Sequence, residues 1–128
     1  MNIKLMISIA LLLLSSFARA DYAGEWTQEM VIAAAQDSNV LLLDVRSEQE
    51  FVAGRVPGAK HIPYDALDTQ LVELEAYRDK KIVLYCHSGR RASIAESYLS
   101  QQGFTQLYHL KGDMQAWNAK GLIQERGE

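Results

Sequence analysis

Residues 81–102 read KIVLYCHSGRRASIAESYLSQQ, and their reading decides the fold. After Lys81 the next four, IVLY, are apolar and favour extended backbone, as a strand buried on both faces requires. CHSGRR (86–91) follows, polar or small throughout and without a large apolar side chain. From Ala92 to Gln102 the spacing turns helical, with Ile94, Ala95, Tyr98 and Leu99 predicted to face inward. Gly103 is placed to end that helix in the left-handed conformation. Strand, polar loop and helix in this order make half of a βαβ crossover.

The same grammar continues on both sides. Upstream, VLLLD (40–44) is a second nearly all-apolar run, ending in a carboxylate. Ser47 with Glu50 three residues on is a capping-box pattern for a short helix through Val52. Gly54, Pro57 and Gly58 mark a loop, and residues 60–62 a very short strand stopped by Pro63. Leu67, Leu71, Leu74 and Tyr77 recur at helical spacing, so a helix is expected over 67–77. Earlier still, residues 27–37 read as a helix capped by Thr27, with Gly24 before it as a turn residue. Downstream, residues 105–109 are expected as the last strand. Met114, Ala116 and Trp117 lie on a final short helix that ends near Gly121. Strands alternating with helices predict an α/β fold: a short, mostly parallel sheet, helices on both faces, right-handed crossovers.

The first 20 residues read differently. Lys4 precedes an apolar run from Leu5 to Leu14, and Ala18-Arg19-Ala20 has small residues at its first and third positions. This order predicts a signal peptide over 1–20, cleaved before Asp21, and an exported, periplasmic domain over 21–128. A buried N-terminal helix and an uncleaved anchor are the alternatives; the apolar run is short against the roughly 20 residues of a membrane span. No stable membrane span is expected after cleavage. Of 13 basic and 16 acidic residues, Lys4 and Arg19 fall in this segment, so the remaining domain is acidic. That balance argues against a general binder of nucleic acid or of anionic membranes.

The chain has one cysteine, Cys86, so no internal disulfide staples it. A lone thiol in an oxidising compartment is a hazard unless it is buried or used. Cys86 directly follows a predicted central strand and directly precedes a helix, where ligands bind in open parallel sheets. The free N–H groups of the helix start, its dipole, and Arg90 and Arg91 all favour a thiolate there. Ser88 and Gly89 let the backbone curl round the sulfur. An inert buried cysteine is the alternative, but CHSGRR is a poor core segment.

Four stretches carry a family resemblance. LLLDVRSEQEF (41–51) and GRVPGAKHIP (54–63) are similar to the first and second signatures of the single-domain rhodaneses. CHSGRR resembles their active loop, with Cys86, Gly89 and Arg91 at the recurring positions. KGDMQAW (111–117) resembles their glycine-led approach to the last helix, with Lys111-Gly112 read in place of the common double glycine. The similarity covers nearly all of residues 22–122. Arg55 stands where relatives often have His.

The resemblance implies a rhodanese-like three-layer fold and a thiosulfate or related sulfurtransferase that works through a persulfide on Cys86. His87, Ser88, Gly89, Arg90 and Arg91 would form the active loop and bind a small anionic donor. Which of the two arginines faces the substrate stays open: Arg90 at the pocket mouth would attract the donor, and Arg91 would orient the loop. Asp44, Arg46 and Arg55 would support the loop, with Asp44 accepting loop N–H bonds and Arg46 pairing with a carboxylate such as Glu50. The acceptor would be cyanide or a thiol, or a protein that takes the sulfur directly. No cofactor is implied. His61 and His109 lack a paired ligand pattern, so no metal is expected. Tyr85, Trp117 and Trp26 read as packing residues.

Three rival functions can be weighed. Cysteine phosphatases and arsenate reductases place five residues between Cys and Arg, which would put the arginine at 92, where this chain has Ala. A sulfur-relay module would keep Cys86 but rely on a partner's surface. A thiol redox protein would need an outside thiol to resolve its mixed disulfide.

Overall fold

The computed structural model describes residues 22–128; the expected signal peptide over 1–20 lies outside the described residues. Five strands form one parallel sheet in the order β1-β5-β4-β2-β3. They are β1 (Gly24–Trp26), β2 (Val40–Asp44), β3 (Lys60–His61), β4 (Lys81–Tyr85) and β5 (Leu107–Leu110). The helices are α1 (Gln28–Ala33), α2 (Glu48–Ala53), α3 (Leu67–Gln70), α4 (Arg90–Gln101) and α5 (Asp113–Ala119). The α/β class, the parallel sheet and the helices on both faces agree with the sequence.

β4 is central because it is apolar on both sides. Ile82, Leu84 and then Cys86 face one core with Ala92, Ala95 and Leu99 of α4. Val83 and Tyr85 face the other, with Val31 of α1 and Met114 and Trp117 of α5. Each of the fully buried leucines and isoleucines contributes about 1.5–3 kcal/mol by leaving water. The two edge strands are short, three and two residues, which limits the unpaired backbone they expose.

Local signals account for most boundaries. The Thr27 hydroxyl accepts the Met30 N–H at 3.2 Å and starts α1. Ser47 and Glu50 form the complete capping box of α2. Three expectations fail. The stretch 67–77 is a single α-turn, α3, followed by a 3₁₀ segment at Leu71–Tyr77. Leu67 and Leu74 are buried while Leu71 is only partly so, and the tighter winding keeps the segment against the sheet with few continuous α bonds. Gly24 belongs to a strand, β1, that pairs with β5 rather than to a turn. On α4, Ile94 is 42% exposed and Glu96 is buried in its stead. The inward stripe is Ala92, Ala95, Glu96 and Leu99, an i, i+3, i+4, i+7 set.

Candidate active site

The carboxyl ends of β2, β4 and β5 converge on one loop. Asp44 and Tyr85 are partners in the ladder, as are Leu84 and His109. Cys86, one step beyond β4, is 1% exposed. The chain turns at Gly89, whose φ of +113° only glycine adopts without strain, and α4 begins at the next residue. That turn brings the Gly89 N–H back to the Cys86 sulfur at 3.0 Å. The loop therefore delivers a hydrogen-bond donor and a helix N-terminus to the same sulfur, a setting that favours an anion.

Two braces hold the loop. On one side Arg91 donates to both carboxylate oxygens of Glu50, at 2.6 and 2.9 Å. That hydrogen bond, working against partial burial, lowers the Glu50 pKa to about 2, and the same pairing raises that of Arg91. On the other side α5 grips the loop backbone. The Met114 and Gln115 N–H groups donate to the Cys86 and His87 carbonyls, both at 3.0 Å. The Cys86 N–H donates to Asp113 Oδ1 at 3.0 Å.

His87, Ser88 and Arg90 are exposed along the loop, and Arg90 has no ion pair among the described residues. Asp44 and Arg46 do not touch the loop through the bonds expected of them. Arg46 pairs with Asp44, its Nη2 2.7 Å from Oδ2, and not with Glu50, which Arg91 occupies. The reason is reach: both side chains are buried at the end of β2, two residues apart, and Asp44 also accepts the Arg46 N–H at 2.9 Å. Arg46 then donates to the Gly54 carbonyl at 2.7 Å, tying β2 to the end of α2. The pair lies under Tyr85, whose hydroxyl accepts the Val56 N–H at 3.1 Å. Burial, then the neighbouring Asp44 charge, raises the Tyr85 pKa and keeps that hydroxyl neutral. Arg55 lies farther out. Its guanidinium covers the Phe51 ring and donates to the Phe51 and Gly127 carbonyls, clamping the strand-like tail near Glu125.

Three residues were not singled out for the site by the sequence: Glu96, His109 and Asp113. The His109 ring lies between two buried carboxylates, Nδ1 2.7 Å from Glu96 Oε1 and Nε2 3.0 Å from Asp113 Oδ2. Burial opposes charge on the ring, but the hydrogen bonds to Asp113 and Glu96 outweigh it and raise its pKa to about 10. Asp113 follows Gly112, and both have positive φ, +57° and +73°. The consecutive left-handed pair, where a double glycine fits, is thus Gly112-Asp113 and not Lys111-Gly112. The legible signal was Glu96 itself, an acid at an inward helical position.

An open cleft of about 390 Å³ adjoins the loop, bounded by Arg46, Glu50, Gly54, His87, Asn118 and Gln124.

The chain is similar to several known proteins. A sulfurtransferase of Allochromatium vinosum is 35% identical over 88 residues, covering 69% of this chain and 80% of its own. A tRNA uridine(34) hydroxylase of Escherichia coli is 33% identical over 110 residues, 82% of this chain; the chain spans only 31% of that protein's length. A rhodanese-related protein from Thermoplasma volcanium superposes with a TM-score of 0.68 at 27% identity, over 79% of this chain and 96% of its own. The sulfurtransferase likeness supports a sulfur-transfer role. With the model of the rhodanese-like domain matching residues 27–120, the chain belongs to the rhodanese-like family.

Proposed function

We propose that the protein is a sulfurtransferase that carries sulfane sulfur on Cys86 between a small anionic donor, such as thiosulfate, and a thiophilic acceptor. The observation that carries this reading is the Gly89 N–H directed at the Cys86 sulfur at the start of α4. In the first step the thiolate attacks the outer sulfur of thiosulfate. A Cys86 S–S bond forms as the bond to the sulfonate sulfur breaks, and sulfite leaves with the electron pair. A persulfide anion remains on Cys86, and the Gly89 N–H and the N-terminal dipole of α4 stabilise its charge. In the second step cyanide or a thiolate attacks the terminal sulfur, giving thiocyanate or a new persulfide and restoring the Cys86 thiolate. Arg90, exposed and unpaired among the described residues, draws the donor to the loop.

The site fits sulfur better than a phosphoryl group. A phosphatase loop needs an arginine free to clamp equatorial oxygens, and here Arg91 is committed to Glu50 while residue 92 is a buried Ala. The test is intact-mass measurement after exposure to thiosulfate, with aryl phosphate turnover assayed alongside. We expect one added sulfur, about 32 Da, on the native protein and none on Cys86→Ser. Cys86-dependent phosphate release, or unchanged sulfur transfer by Cys86→Ser, would overturn the reading.

A further inference from the structure

The Asp113 carboxylate creates an electrostatic problem for the nucleophile. One oxygen accepts the Cys86 N–H at 3.0 Å, so a carboxylate lies against the backbone of the residue that must itself become an anion. The other oxygen lies under Gly89: a methyl added there would come within 3.2 Å of Asp113 Oδ2 and 3.7 Å of His109 Nε2. Asp113 and His109 thus form the floor of the active loop. Like charges this close disfavour one another unless a third charge intervenes.

We infer that His109 is a positioning residue that neutralises Asp113 beneath the loop, allowing the carboxylate to anchor Cys86 without suppressing its thiolate. The inference rests on the proposed function only in needing Cys86 to act as an anion.

The surroundings of the ring suit this role. Glu96 of α4 faces Nδ1, and Asp113 at the start of α5 faces Nε2. The Tyr22 ring, from the segment ahead of β1, packs at 5.6 Å between centroids. The backbone of Gly89 closes the top. With carboxylates on both sides, the ring stays protonated through the neutral range. Glu96 acts at a distance, holding the charge on the ring, while Asp113 transmits it to the loop. Facing the loop are Asp113 with the charged His109 on one side and Arg91, itself paired with Glu50, on the other. At φ +57° an aspartate bears strain that glycine would not.

The experiment follows thiolate formation directly, by ultraviolet absorbance against pH, with no sulfur donor present. Each protein is measured against its own Cys86→Ser counterpart, which subtracts the tyrosines. His109→Gln should move the Cys86 titration midpoint up by about one pH unit, an effect of about tenfold on the thiolate fraction below it. His109→Gln with Asp113→Asn should return the midpoint towards wild type, because the offending charge goes with its partner. A role confined to packing would give no such rescue. Should His109→Gln not fold, Asp113→Asn alone decides the matter. Asparagine keeps an acceptor for the Cys86 N–H and tolerates the left-handed backbone, and the midpoint should fall. A midpoint unmoved in Asp113→Asn, or a double variant displaced as far as His109→Gln, would overturn the inference. Absence of sulfur transfer in an otherwise correctly titrating protein would instead count against the proposed function alone.

Discussion

Arg91 holds Glu50 with two parallel hydrogen bonds, joining the first turn of α4 to α2 across 41 residues of sequence. The geometry is that of a fork meeting a carboxylate, which is stronger and more specific than a single contact. Glu50 also accepts from the Ser47 hydroxyl and backbone N–H, so one side chain both caps a helix and braces the loop.

The acid limb of stability should report this pair. The Glu50 pKa is depressed from 4.5 to about 2, so its contribution is complete above 4.5 and lost as pH falls through 2. A third of the carboxylate is open to water, which screens the pair and limits its contribution to about 1 kcal/mol. Urea unfolding at stepwise pH should show that loss in the native protein. Glu50→Gln should start lower and show a correspondingly smaller decline.

Arg90 and Arg91 should separate kinetically. Arg90→Ala removes an exposed charge with no structural partner among the described residues, so stability should hold while the KM for thiosulfate rises about tenfold. Arg91→Ala breaks the brace, and both thermal stability and kcat should drop. Steady-state kinetics with a dianionic and a neutral donor check this: the Arg90 effect should shrink for the neutral one. Equal behaviour of the two variants would mean that the mouth and the brace are not distinct.

The alkaline limb should report His109. Its folded pKa is raised from 6.5 to about 10, so the stabilisation is fully present below 6.5 and drains away as pH rises towards 10. We expect the native protein to lose about 2 kcal/mol across that window, measured by denaturant unfolding. His109→Gln should be less stable at neutral pH and nearly flat over the same range. A native protein with level stability from neutral to alkaline pH would contradict the charged ring.

Gly89→Ala should be costly out of proportion to one methyl group. The residue has φ +113°, and the new carbon would press on Asp113 Oδ2. A penalty of about 1–2 kcal/mol is expected from the backbone alone. Since the Gly89 N–H would leave the sulfur, sulfur transfer should fall even where the fold persists. Circular dichroism with a transfer assay distinguishes the two effects.

The strands β2 and β4, the capping box and the position of Cys86 were legible because each depends on neighbours in sequence. KIVLY and VLLLD declare burial by composition, and Ser47 and Glu50 by spacing. β1 was not legible: three residues including a glycine have no alternation to read, and β5 alone makes them a strand. The partner of Arg46 was misread because several carboxylates lie within reach in sequence, and only burial at the end of β2 selects Asp44. Glu96 was passed over for Ile94 because an acid faces a core only when something distant neutralises it, and His109 is 13 residues away. The floor of the site was hidden for the same reason.

The contacts that shape the thiol come from distant parts of the chain. Glu50 reaches Arg91 over 41 residues and Asp113 reaches Cys86 over 27, so neither brace exists in a chain that has not yet brought α2 and α5 to the loop. The Gly89 donor and the start of α4 are local to the sulfur, but the contacts that hold them in place come from those distant segments. The setting of the thiol is therefore a property of the assembled domain, and no peptide cut from the loop alone would carry both braces.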